Sequence, residues 1–334
     1  MSDIRVGVIG CGYWGPNIIR NFVEADDAVV VRVCDLDESR LGTIKRRYPA
    51  VDCTTDSSKV IGADDVDAVA VVTPVSTHYK LARAALSAGQ HVFVEKPMTG
   101  KPDQAAELCE LAEKGKLTLM VGHVFEYSPA VTTAKELLPE CGDIYYVDSS
   151  RVNLGLHQSD ISVLWDLAPH DVSIILYWLD AEPVSVHAVG ACYTQPGIED
   201  VVFVTMRFAS KAVAHVHVSW LAPSKLRRTS VIGSNKMLVY DDTEAVEKIK
   251  VYDRGVSFKD KGDYRKLLPE YRAGDILSPR VPTTEPLRIE CSHFIECAAS
   301  GATPRSGGRS GLRVVRVLAA AERSLREDGK AVRL

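Results

Sequence analysis

The sequence predicts an α/β protein: a Rossmann dinucleotide-binding domain, then an α+β domain on a mainly antiparallel open sheet. Three observations lead there. Strand-like apolar runs alternate with helix-like stretches through the first third. A G-x-G-x-x-G loop occupies the first strand-to-helix junction. Past residue 122, strand-like runs follow one another with no helices between them.

Taken in order, the first-third strands are 4–10, 28–35, 67–73, 90–96 and 117–122. Between them, 17–25, 78–89 and 103–115 carry apolar residues at helical spacing, the last two ending on Gly89 and Gly115 as helices often do. Strands linked by helices of about a dozen residues imply a parallel sheet covered on both faces. Beyond 122, a helix over 168–179 precedes strands at 184–193, 201–209, 212–221, 227–234, 236–241 and 246–253. Residues 254–286, rich in Pro, Gly and charge without a clear period, read as a surface excursion. Helices at 286–300 and 311–327 close the chain. The expected division is 1–122 and 123–334, with the C-terminal helix packing back on the first domain.

The bulk numbers narrow the function classes. A chain of 334 residues, 46% hydrophobic and 25% charged, can bury sizeable cores. A net charge of -4 gives no electrostatic case for nucleic acid or an anionic membrane. The eight cysteines form no CxxC pair and no zinc spacing, so they are expected reduced, and no metal site is expected. MSDIRVGVIG lacks a basic segment leading into a long apolar one, and no apolar run reaches membrane length, so a cytoplasmic protein is expected.

Gly10, Gly12 and Gly15 make the glycine motif. The first permits a tight turn, the second lets backbone approach a diphosphate, and the third allows close helix–strand packing. Asp35 closes the second strand, placed to accept the adenosine ribose hydroxyls and to repel a 2′-phosphate. NAD is therefore favoured over NADP, although Arg40 nearby could blunt that preference. Tyr13 is expected over the cofactor and Trp14 in the core. Ligands of an open parallel sheet gather beyond the strand ends, where Thr73-Pro74, His78, Glu95-Lys96-Pro97 and His123 stand. A lysine fixed between a carboxylate and a proline suits a cation beside a substrate oxygen. A snorkelling surface lysine is the bland alternative.

With these motifs assembled, the chain resembles the glucose–fructose oxidoreductase/inositol dehydrogenase/MocA (Gfo/Idh/MocA) family of nicotinamide-dependent sugar dehydrogenases. VGVIGCGYWGPNIIRNF, TPVSTHYKLARAALSAGQHVFVEKP, VGHVFEYSPAV and WDLAPHDVSIILYW carry the likeness along nearly the whole chain. The resemblance implies Lys96, Asp166 and His170 as catalytic residues, and a cis peptide before Pro97. It implies Gly10, Gly12, Tyr13, Gly15, Asp35, Thr73, Pro74, His78, Glu95 and Lys96 on the cofactor. Lys96, His123, Arg151, Asn153, Asp166 and His170 are implied on the substrate. A homodimer or homotetramer is implied through the open sheet face, where His215 and His217 would lie. GYWG, Arg151-x-Asn153-x-Gly155 and WDLAPHD resemble a branch that oxidises the C3 hydroxyl of UDP-N-acetylglucosamine or its uronate.

WDLAPHD also has a purely structural explanation. Pro169 suits a first helical turn, Asp166 could cap it, and Asp166 and His170 at i, i+4 share one helix face. The chemical explanation is that oxidising a secondary alcohol needs a base near operating pH, which imidazole supplies. Oxidation of inositol or another polyol, or reduction of a keto sugar, fits the same three residues. An NAD-binding sensor without turnover is the alternative of another class.

Overall fold

The computed structural model describes residues 3–155, 161–259 and 268–334, so part of the 254–286 excursion lies outside the described residues. The chain forms two compact units, Met1–Tyr127 with Thr284–Ala319, and Ser128–Thr283 with Ala320–Leu334.

The first unit holds six strands: β1 (Ile4–Ile9), β2 (Ala28–Cys34), β3 (Asp52–Thr54), β4 (Ala68–Val71), β5 (His91–Glu95) and β6 (Leu119–Gly122). All pair in parallel, in the order β3-β2-β1-β4-β5-β6. This is the dinucleotide-binding order, and its direction reverses between β1 and β4. Helices α1 (Gly15–Val23), α2 (Glu38–Arg47), α3 (Val75–Ser87) and α4 (Pro102–Gly115) make the crossovers. Strand β3 escapes sequence reading because three residues are too few to show a period. The buried valines of β1 and β4 leave no polar face, as a sheet covered on both sides requires.

Helix α7 (Pro286–Ser300) also belongs to this unit, which therefore extends beyond the expected 1–122. The reason is aromatic packing. Phe294 of α7 meets Phe22 of α1 at 5.9 Å and Phe93 of β5 at 5.7 Å, each edge to face. Such pairs contribute about 0.5–1.5 kcal/mol each beyond the area they bury.

The second unit carries α5 (Pro129–Leu137), α6 (Val163–Leu179) and a nine-stranded sheet. Its strands are β7 (Ile144–Leu154), β8 (Pro183–Ala191), β9 (Val201–Phe208), β10 (Val213–Ser219), β11 (Leu221–Gly233), β12 (Met237–Asp241), β13 (Ile249–Lys259), β14 (Leu268–Leu277) and β15 (Val332–Arg333). Their order is β14-β13-β12-β11-β7-β10-β9-β8-β15, antiparallel except for β7 with β10. Alternation is clean on β9 and β10: Val202, Val204, Met206, Ala214, Val216 and Val218 are buried, and α6 packs on these strands. Helix α8 (Gly308–Arg326) follows α7 in the chain.

Two expectations change here. The excursion is instead largely sheet, since β13 and β14 pair antiparallel and extend it by two strands. Helix α6 begins at Val163, not 168, so Pro169 is an interior residue and Asp166 is no cap. Ser162 holds the cap position, and its carbonyl accepts the Asp166 N–H at 3.1 Å.

Candidate functional site

In the first unit, Gly10 turns the chain with φ 109°, and a Cβ there would collide with the Val72 carbonyl. A Cβ on Gly15 would collide with the Gly10 carbonyl, so the third glycine serves close helix–strand packing. At Gly12 the nearest neighbour is Arg40 Nη1, 3.9 Å from a hypothetical Cβ, leaving room for a phosphate group. Asp35 is fixed from both sides: Cys11 N–H donates to Oδ2 at 2.5 Å and Asp37 N–H donates to Oδ1 at 2.9 Å. Arg40 Nη1 lies 3.7 Å from Asp35 Oδ1. A cleft of about 870 Å³ opens at these strand ends, lined by Gly10, Gly12, Tyr13, Asp35, Thr73 and Pro74 among others. That volume and lining fit a dinucleotide, with the expected ribose-binding carboxylate in place. Tyr13 is 92% exposed on its rim, and Trp14, expected in the core, is 38% exposed.

His78 departs from the cofactor role. It is 1% exposed, with Nδ1 2.9 Å from the Pro97 carbonyl and Nε2 2.7 Å from the Thr73 carbonyl. It therefore ties the end of β4 to the Lys96–Pro97 turn, behind the cleft rather than in it. That peptide bond is cis.

Glu95 and Lys96 end β5, half-buried. The Glu95 carboxyl accepts the Lys96 backbone N–H at 3.2 Å and a bond from the Trp14 indole. Burial pushes this carboxyl up to about 7, against the opposing pull of the Lys96 charge. The carboxyl lies over Gly122, where a Cβ would sit 3.1 Å from it. His123, expected on the substrate, is 1% exposed. Burial, then the Lys96 charge, hold its imidazole down to about 3, so it is uncharged at neutral pH. Its place is behind the surface, because the turn after β6 folds it inward.

In the second unit, α6 is buried along most of its length, but Asp166 and His170 are half-buried one turn apart. Asp166 Oδ2 accepts the Trp220 indole N–H at 3.0 Å. Trp220 is 1% exposed and packs where a Cβ on Gly155 would collide with it. This aromatic was missed by sequence reading. The available signal was a tryptophan at a strand end, since a buried indole N–H needs an acceptor.

Arg151 contradicts its expected substrate contact. It is 2% exposed, and its Nε donates to Asp171 Oδ2 at 2.6 Å. Ser149 Oγ donates to Asp171 Oδ1 at 2.9 Å. Asp171 raises the guanidinium against the opposing effect of burial, which is the largest influence on it. The arginine is committed to the α6–β7 contact beside His170. Asn153, two residues on, stays half-buried near the end of β7. On β10, His215 and His217 flank Phe203 of β9, with His217 stacked on its ring at 4.4 Å.

Comparison with known proteins adds the following. Residues 4–123 match a family model described as an oxidoreductase family with an NAD-binding Rossmann fold, and 104–239 match the GFO/IDH/MocA C-terminal domain. The chain is similar to the UDP-N-acetylglucosamine 3-dehydrogenase of Acidithiobacillus ferrooxidans, 29% identical over 262 residues, 76% of this chain and 79% of the relative. A solved structure of that enzyme superposes with a TM-score of 0.82 at 25% identity, covering 98% of this chain and 99% of the other. An uncharacterized oxidoreductase of Escherichia coli K12, YdgJ, is 31% identical over 70% of each chain. The NAD(+)-dependent scyllo-inositol 2-dehydrogenase of Bacillus subtilis is 26% identical over 90% of this chain and 88% of its own.

Proposed function

The chain belongs to the Gfo/Idh/MocA oxidoreductase family and binds NAD, and on that premise we propose that it oxidises the C3 hydroxyl of a nucleotide-linked sugar. UDP-N-acetylglucosamine or its uronate is the substrate class, and a 3-keto sugar the product. One observation carries the reading: Asp166 and His170 alone break the buried character of the first turns of α6 together with Leu167, and Trp220 holds Asp166 there. Likeness to a UDP-N-acetylglucosamine 3-dehydrogenase supports the substrate.

Lys96, Asp166 and His170 are assigned as the catalytic residues. Bound NAD supplies the hydride acceptor. His170 takes the hydroxyl proton in oxidation and returns it in reduction. Lys96 holds the substrate oxygen and steadies alkoxide charge as it develops. Asp166 orients His170 or holds a neighbouring hydroxyl, with its own carboxylate fixed by Trp220. Asn153 is assigned to the substrate; Arg151 is not. Gly10, Gly12, Tyr13, Asp35, Thr73 and Pro74 would hold the cofactor. A homo-oligomer in the cytoplasm completes the proposal. Among the described residues no helix is long and apolar enough to cross a membrane.

The test is NADH formation with UDP-N-acetylglucosamine, its uronate, scyllo-inositol and myo-inositol. Turnover with the UDP-sugars is expected. Turnover with inositols alone would move the substrate to the polyol class, as the Bacillus relative suggests. NAD binding with no turnover on any of them would favour a sensor.

A further inference from the structure

Behind Lys96 lies a charge that the reaction as described does not use. Glu290, on α7, is 0% exposed. Neither of its carboxyl oxygens has a hydrogen-bond partner among the described residues. A carboxylate left so in an apolar interior costs several kcal/mol, so the group keeps its proton instead.

Register shows what Glu290 faces. On β5, Phe93 and Glu95 are two residues apart and point to the same side of the sheet. On α7, Glu290 and Phe294 are four apart and share one helix face. Phe93 and Phe294 are in ring contact at 5.7 Å. The two contacts continue in step, which sets Glu290 toward Glu95. Burial drives the Glu290 carboxyl well above the usual range, and the charges of Glu95 and Glu126 add to that. Other groups near it are Cys291 on α7, whose thiol burial also pushes up, and Arg20 of α1, which pairs with Glu285 at 2.6 Å.

We propose that Glu290 is a positioning residue: a protonated acid that faces Glu95, supports that carboxylate, and so fixes the end of β5 from which Lys96 projects. Two facing carboxyls with one proton between them can attract, whereas two carboxylates repel. Glu95 in turn takes the Lys96 backbone N–H and the Trp14 indole, linking the pair to both the lysine and the glycine loop. Glu290 reaches the lysine only through Glu95. The proposal rests on the assignment of Lys96 to catalysis, but its physical part does not.

Three measurements test it on the full-length protein. Infrared spectra at neutral pH should contain a carboxylic-acid carbonyl band that Glu290→Gln removes. Glu290→Leu should leave Lys96 more reactive toward an amine-acylating reagent, about threefold by peptide mass spectrometry, because Glu95 loses its donor and takes up a proton. With UDP-N-acetylglucosamine, Glu290→Leu should lose about tenfold in kcat with NAD affinity kept, and Glu290→Gln should recover most of it. A packing role predicts the reverse order, since leucine suits an apolar interior better than an amide. An unchanged carbonyl band in Glu290→Gln, or equal Lys96 acylation in parent and Glu290→Leu, overturns the proposal. A parent that oxidises no UDP-sugar sinks the substrate reading instead and leaves the infrared and acylation results to decide this one.

Discussion

Two backbone N–H groups already occupy Asp35, one on each carboxylate oxygen, which fixes its remaining lone pairs toward the cleft. Ribose hydroxyls can donate to those lone pairs, whereas a 2′-phosphate would meet like charge. Asp35→Asn should therefore weaken NAD about tenfold and narrow its advantage over NADP, read by fluorescence titration of both nucleotides. His170→Ala should lower kcat by about 10²–10⁴-fold with NAD affinity unchanged. Equal turnover in the variant and parent would remove His170 from the proposed mechanism. At this scale the sequence was informative where spacing was local: the glycine loop, the Glu95-Lys96-Pro97 strand end, and Asp166 four before His170. It misled at Arg151, His78 and His123. A polar residue near a strand end looks the same in sequence whether it faces a ligand or a buried partner twenty residues away, as Arg151 faces Asp171.

Element packing makes the buried ion pair and the buried imidazole measurable. Arg151→Met would strand Asp171 without its guanidinium between β7 and α6. The expected cost is about 3–5 kcal/mol in denaturant unfolding. His123 gives a pH signature. Unfolded, it gains a proton below its ordinary 6.5; folded, only near 3. The native chain binds fewer protons in that window, so this stabilisation is present above 6.5 and lost as pH falls. Glu95 acts oppositely, moving from an ordinary 4.5 to about 7. Its contribution is present below 4.5 and lost as pH rises through 7. The two offset each other between 4.5 and 6.5. His123→Phe removes one of them, so its Tm relative to the parent should climb as pH is lowered from 6.5. A constant difference would mean that His123 charges normally in the folded chain.

For the molecule as a whole, all eight cysteines are free and only Cys192 is exposed. Burial pushes the Cys11 thiol up to about 12 and Cys34 to about 11, away from the reactive thiolate. A thiol reagent should titrate one cysteine quickly in the native protein and all eight after denaturation. Rapid loss of several would contradict the buried thiols. The sequence by itself determined the Rossmann strand–helix alternation, the glycine turn, the acidic end of β2 and the family, because each is written in neighbouring residues or in fixed chain order. Tertiary structure alone decided that α7 returns to the first unit through Phe294, that β13 and β14 extend the second sheet, and that Trp220 rather than a helix cap holds Asp166. Those outcomes depend on which distant surfaces bury each other and which buried donor finds which acceptor. That pairing is settled by packing in space, which no local period records.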